Sequence, residues 1–325
     1  MGGKIMELLK KLTQASAPSG AEDDVREIIK KEAEGKYDEA VTDPLGNLML
    51  IKRGSAENKK KIMAAAHMDE IGVIAKYTDE NGFVRFDALG GLDTRYLPGR
   101  RVLFTNGAYG VIGCEEKEFK DKPSLDKLYI DTCGKKVNTG DAAVFCGSFE
   151  ERDGIVVSKA LDNRAGCYIL LKALEKLNGK NEVCLAFTVQ EEVGLRGAGP
   201  AAYSYEPDYA IAVDVTDTGD TPNAPVAEVR LGSGAAVKIM DRSVLCDAQL
   251  RNFMMETAKR NNIPYQAEIM SDGGTDAGRI HVTRAGIKTG GISVPVRYIH
   301  SPSETASVSD INNCIELLAA TLNEL

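Results

Sequence analysis

Six side chains at widely separated points of the chain have the types and settings for metal-assisted hydrolysis: His67, Asp162, Glu191, Glu192, Asp214 and His300. Each follows an apolar run of strand character or opens a helical stretch. Imidazole and carboxylate donors in this mixture suit zinc, cobalt or manganese. Two ions about 3.5–4 Å apart need one shared carboxylate and two further ligands on each side. The set meets that count with Asp162 as the shared group and a histidine plus a carboxylate for each ion. Because the donors come from distant segments, a local zinc-finger site is excluded. The adjacent pair Glu191-Glu192 offers a metal ligand and a general base side by side. Taken singly, each residue has an ordinary structural reading. The glutamates suit a solvated strand end, His67 a satisfied core histidine, Asp162 a helix N-cap, and Asp214 and His300 polar loops. His281, within Ala277-Gly-Arg-Ile-His, reads as structural.

The elements around these residues are those of an α/β sheet, where chemistry collects at the carboxyl ends of strands. Lys61 to Ala66 is an apolar run long enough for one buried strand and ends on His67-Met-Asp69-Glu70. Val183 to Val189 is another and leads into the glutamate pair; Tyr209 to Val213 leads into Asp214. Neighbours in a regular strand point to opposite faces. The chain must therefore leave strand geometry at Glu191-Glu192 for both to face one site, and Gly194 permits a bend. Ile5, Leu8, Leu9 and Leu12 predict an opening helix. Ser19 with Glu22 reads as a capping box for a second helix bearing Val25, Ile28 and Ile29. Further helices are predicted over Ile169–Leu177, Asp247–Asn261 and Ile311–Leu322, with strands over 48–52, 235–240, 266–270 and 286–292. Gly194 to Gly199 reads as a glycine-rich turn.

Between the helical flanks the texture changes. Short strand-like runs at 71–77, 83–89, 101–105, 108–112, 129–131 and 142–145, separated by glycine turns, predict a small barrel or sandwich. The chain therefore reads as a discontinuous α/β domain, 1–68 and 160–325, with an all-β domain inserted at 69–159. An insertion needs close ends, which places His67 near Asp162.

Composition narrows the function classes. The 325 residues carry a net charge of −8, from 40 basic and 48 acidic side chains, which disfavours a nucleic-acid partner. No apolar run of about 20 residues is present for a membrane span, and the first residues lack a signal-peptide layout. Seven scattered cysteines without a Cys-x-x-Cys fit reduced thiols and a cytoplasmic protein.

The segments Ala66-His-Met-Asp-Glu-Ile-Gly72, Leu161-Asp-Asn-Arg-Ala-Gly166, Thr188-Val-Gln-Glu-Glu-Val-Gly-Leu-Arg-Gly-Ala198, Ala212-Val-Asp-Val215, Gly273-Gly-Thr-Asp-Ala277 and Arg297-Tyr-Ile-His-Ser-Pro302 run in the order of the M42 metallo-aminopeptidases. The chain resembles that family over nearly its whole length. The resemblance implies an α/β/α layered, zinc-peptidase-like catalytic domain with an inserted barrel-like domain that dimerises, in dimers that often build a dodecamer. It also implies two divalent ions, zinc or cobalt, one held by His67, Asp162 and Asp214 and the other by Asp162, Glu192 and His300. Glu191 is then the general base, Asp69 orients the His67 ring, and the substrates are peptides with a free N-terminus. The segment from Glu115 to Gly140 is short for the family. A deacylase or carboxypeptidase on the same scaffold is the nearest rival. Some members carry an endoglucanase label, but glycoside hydrolysis needs two opposed carboxyl groups roughly 5–9.5 Å apart and no metal, which leaves the histidines unexplained. A non-enzymatic scaffold would be expected to have lost at least one ligand.

Overall fold

The computed structural model describes residues 5–118, 122–224 and 228–325. The chain enters through helices α1 (Ile5–Gln14) and α2 (Asp23–Ala33) and strands β1 (Glu39–Thr42), β2 (Leu48–Lys52) and β3 (Lys61–His67). Six strands then close into a barrel: β4 (Gly72–Thr78), β5 (Val84–Leu89), β6 (Arg101–Phe104), β7 (Tyr109–Cys114), β8 (Leu128–Asp131) and β9 (Ala142–Phe145). The remainder is β10 (Glu150–Arg152), β11 (Ile155–Ser158), α3 (Leu161–Leu174), β12 (Glu182–Thr188), α4 (Ala198–Tyr205), β13 (Tyr209–Asp217), β14 (Ala235–Met240), α5 (Ala248–Arg260), β15 (Tyr265–Ile269), α6 (Ala277–Ile280), β16 (Lys288–Arg297), β17 (Glu304–Ser307) and α7 (Val308–Glu324).

Eleven strands form one sheet, in the order β1-β2-β12-β3-β13-β16-β17-β11-β10, with β14 on β16 and β15 on β14. Its centre is buried on both faces, so its strands are largely apolar along both. In β3, Ile62, Ala64 and Ala66 face the core under α1, α2, α3, α5 and α7, whereas Met63 and Ala65 pack with Ala198, Ala201 and Ala202 of α4 and Ile280 of α6. β12 alternates the same way, with Val183, Leu185 and Phe187 on one side and Cys184 and Ala186 on the other. This two-residue alternation into two cores makes an α/β/α sandwich. The barrel has a core of its own, built from side chains including Val73, Phe86, Phe104, Ile130 and Phe145.

Several local expectations change. The strands β10 and β11 lie within the 69–159 stretch but belong to the large sheet, where β11 pairs with β17 and β10 with β11. They carry the chain out of the barrel and back to the site. The stretch read as a glycine-rich turn is a turn over 194–197, and its last two residues open the short helix α4, whose small alanines fit closely against β3 and β12. No capping box forms at α2: its N-cap, Glu22, makes no side-chain cap bond, and Ser19 donates instead to Asp69. Among the described residues no helix is long and apolar enough to cross a membrane. Among the described residues no disulfide forms, and Cys167, Cys184, Cys246 and Cys314 are buried.

Candidate active site

Strands β3, β12, β13 and β16 run parallel, so their carboxyl ends share one edge of the sheet. His67 is the last residue of β3 and stands opposite Thr188, the last of β12. Asp214 lies inside β13 rather than at its end, because the strand continues through the buried Val215 and Thr216. His300 follows β16 by three residues, in a turn where it adopts a positive φ of 62°. Asp162 sits in the first turn of α3 with non-helical φ/ψ. It is not the N-cap, which is Ala160.

These residues converge. The two carboxylate oxygens of Asp162 face different rings: Oδ1 is 3.1 Å from His67 Nε2, and Oδ2 is 3.4 Å from His300 Nε2. Around His67 Nε2, Asp214 Oδ1 lies at 3.7 Å and Glu191 Oε2 at 3.8 Å. Beside His300 Nε2, Glu192 Oε2 lies at 3.2 Å. Two overlapping donor groups, His67–Glu191–Asp214 and His67–Asp162–Glu192, each have all their ligand atoms within 4.8 Å of one another. Neither group is one of the trios implied by the resemblance, although the same side chains are gathered. Glu191 lies as close to the cluster as Asp214 does.

Two buried carboxylates hold this arrangement. Asp69 accepts from the backbone N–H of Glu191 (3.0 Å) on one oxygen and from that of Glu192 (3.2 Å) on the other, and Ser19 Oγ donates to it at 2.6 Å. Both glutamates thereby turn toward one side, helped by the left-handed Gln190 (φ 56°) and Gly194 (φ 121°). His67 Nδ1 donates to the backbone carbonyl of Asp69 at 3.1 Å and lies 3.4 Å from its Oδ1, which leaves Nε2 directed at the cluster. Glu304 does the same on the other side. Its Oε2 accepts from Asp162 N and its Oε1 from His300 N, each at 3.0 Å.

The electrostatics report an excess of buried negative charge. Burial opposes a charge on His67, yet Glu191, Asp162, Asp214 and Asp69 outweigh it and hold the imidazole pKa well above its ordinary range. His300 is raised likewise, by Glu192 and Asp162 against burial. Burial raises Glu191 well above the usual carboxylate range; His67 opposes, and Asp214, Glu192 and Asp276 push it further. Burial, with Asp162 adding to it and His300 opposing, brings Glu192 up to about 7. Asp162 moves the opposite way: burial would raise it, but the two rings hold it low.

A family model described as M42 glutamyl aminopeptidase matches residues 46–317. The chain belongs to the M42 family. Among its relatives, a protein of Acetivibrio thermocellus assigned to the aminopeptidases is 50% identical over 327 residues, which cover 98% of each chain. The solved aminopeptidase APDkam598 of the archaeon Desulfurococcus kamchatkensis is 38% identical with a TM-score of 0.93, covering 99% of this chain and 95% of that one. The TET1 peptidase of Pyrococcus horikoshii, which can assemble into a tetrahedron or a large octahedral shell, is 34% identical with a TM-score of 0.89, covering 99% and 100%.

The M42 chain is thus a peptide hydrolase of the aminopeptidase class, and its family implies metal dependence. Its residues fit that requirement. Buried carboxylates outnumber the imidazoles beside them, and Glu192 Oε1 is buried with no hydrogen-bond partner. Such a group costs free energy unless a cation or donor meets it.

Sequence reasoning placed His67, Asp69, Asp162, Glu191, Glu192, Asp214 and His300, and the structure brings all of them together. It missed Glu304, Ser19 and the Gly90-Gly91 turn. A Cβ on Gly90 would fall 3.1 Å from Glu192 Oε2, and one on Gly91 would fall 3.2 Å from the His300 ring. The turn therefore closes over the site from the barrel side. The Gly-Gly pair was a visible signal, but it read only as one of the glycine turns between strand-like runs.

Proposed function

We propose that this chain is a dinuclear aminopeptidase that removes the first residue of peptides, with Glu191 as general base. The observation that carries this reading is Asp162, whose two oxygens each face a different histidine, as a carboxylate that would serve two ions must. His67, Asp162 and Asp214 would hold one ion, and Asp162, Glu192 and His300 the other. Zinc and cobalt both suit these donors. Two divalent ions in such a cluster supply Lewis-acid polarisation of the scissile carbonyl and lower the pKa of nearby water.

The chain's own groups do the rest. Glu191 Oε2, beside the donor group of His67 and Asp214, takes the proton of the attacking water. The water oxygen joins the carbonyl carbon, the C–N bond breaks, and Glu191 returns the proton to the leaving amine. Its backbone N–H is fixed by Asp69, which suits a group that must both take and release a proton at one place. Asp69 and Glu304 act as positioning residues through the backbone N–H groups they bind.

The barrel, inserted within 69–159, serves as the dimerisation domain of a homo-oligomer, a dimer or a larger shell. The TET1 relative's assembly supports a homo-oligomer. Four buried cysteines outside any disulfide fit a cytoplasmic setting.

The test is turnover of leucine, glutamate and lysine p-nitroanilides by dialysed protein before and after zinc or cobalt, with acetylated substrates and Glu191→Gln in parallel. Metal-restored cleavage of free-amine substrates, lost in a variant that still binds metal, is expected. Cleavage of acetylated substrates alone would replace this reading with a deacylase.

A further inference from the structure

The cavity that holds the cluster has a volume of about 460 Å³ and reaches past the metal-ligand side chains. Beyond them it is walled by Leu195, Met270 and Ile299 and by two more acids, Asp217 and Asp272; no lysine or arginine lines it. Both acids are exposed. Among the described residues neither carboxylate has a hydrogen-bond or ion-pair partner. Basic groups on the adjoining strands are already engaged. Arg297, at the end of β16, pairs with Asp220 at 2.7 Å, and the buried Lys238 of β14 pairs with Glu268 and with Asp241. The loop carrying Asp272 is fixed just beyond it: Thr275 N donates to Ser243 Oγ and Thr275 Oγ1 to Asp241 Oδ2, each at 3.3 Å.

We propose that Asp217 and Asp272 make this enzyme selective for peptides that begin with lysine or arginine. The inference rests on the dinuclear aminopeptidase reading. Under it, two divalent ions more than neutralise the three ligand carboxylates, and Glu191 restores the balance. Asp217 and Asp272 then remain as uncompensated negative charge in the cavity. All the ligands, Glu191 and these two acids line one space. A substrate with its scissile carbonyl beside Glu191 therefore extends its first side chain within that space. Lysine and arginine carry an apolar stem that ends in a cation. Leu195, Met270 and Ile299 match the stem, and the two carboxylates match the head. An acidic first residue meets like charge and is rejected, and an aliphatic one leaves the carboxylates without a counter-ion.

The experiment uses the metal-loaded full chain and two readouts. Calorimetry compares free lysine with norleucine, which shares the stem and lacks the ammonium group. Steady-state kinetics compares lysine, leucine and glutamate p-nitroanilides. Lysine is expected to bind at least about tenfold more tightly than norleucine, and kcat/KM to follow the order lysine, leucine, glutamate. In Asp217→Asn/Asp272→Asn, both the binding ratio and the lysine-to-leucine ratio of kcat/KM should fall to near one. Equal binding of lysine and norleucine by the parent chain, or a lysine advantage that survives in the double variant, overturns the assignment. A lysine advantage in binding with no anilide cleaved supports the pocket assignment and overturns the aminopeptidase reading instead.

Discussion

Asp69→Asn tests how the glutamate pair is held. The carboxylate is fully buried and accepts the N–H of Glu191 on Oδ1 and that of Glu192 on Oδ2, with Ser19 Oγ also on Oδ2. An asparagine has one acceptor oxygen, so in either orientation its NH₂ faces at least one of these donors. A buried donor left unmet costs about 1–3 kcal/mol, and the remaining bonds lose their charge assistance, about 1 kcal/mol more. The sum of about 2–4 kcal/mol, if it falls on the transition state, corresponds to roughly 30- to 1000-fold in kcat/KM. The loss should appear mainly in kcat, because the displaced groups are the general base and its neighbour. Ser19→Ala, which removes one donor and keeps the charge, should cost less than about tenfold. The assay is leucine p-nitroanilide hydrolysis with metal content measured on the same samples. An Asp69→Asn enzyme within threefold of the parent, both ions bound, would refute this role.

Three further outcomes follow from the same contacts. Glu304→Gln removes one of the two acceptors for Asp162 N and His300 N, and should lower kcat and weaken metal retention, seen as faster loss to a chelator. Glu70 is buried between Lys159 Nζ at 2.6 Å and Arg164 Nη2 at 3.0 Å, so Glu70→Gln strands two buried cations; urea unfolding should show a loss of about 3–5 kcal/mol, and a loss below 1 kcal/mol would contradict it. In the metal-free chain His67 and His300 have raised pKa values, so their contacts with the carboxylates stabilise the fold below the ordinary imidazole pKa and fade as pH rises through the raised values. Metal uptake must displace those protons, and chelator-competition titrations should show affinity rising with pH, about tenfold per unit for each proton displaced; a flat profile from pH 6 to 8 would count against it.

What was legible in the chain was set by burial. β3 and β12 are covered on both faces, so their apolar runs stand out, and the runs lead directly to His67 and Glu191-Glu192. Asp214 was found for the same reason, although its strand runs on to Asp217 because Val215 and Thr216 are also buried. The barrel strands were legible through the glycine turns between them. Asp69 was placed as the partner of the His67 ring, but the long-range bonds by which it and Glu304 hold the site were not legible. Asp69 binds groups 122 and 123 residues away, and Glu304 reaches Asp162 across 142 residues. Such bonds leave no local periodicity. Glu304 also opens a four-residue strand, Glu-Thr-Ala-Ser, whose composition reads as loop until β16 and β11 pair with it. Ser19 satisfied a local capping pattern and yet serves a distant carboxylate. β10 is exposed along its length and exists through its pairing with β11.

The shared-carboxylate site is tested most directly by metal stoichiometry in native mass spectrometry, on protein stripped with chelator and reloaded with zinc or cobalt. Two ions per chain are expected in the parent, one in His67→Ala and one in His300→Ala, with loss of affinity for both in Asp162→Ala, the carboxylate that faces both rings. A single ion per chain in the parent, or two retained ions in Asp162→Ala, would contradict the shared-carboxylate site on which the mechanism rests.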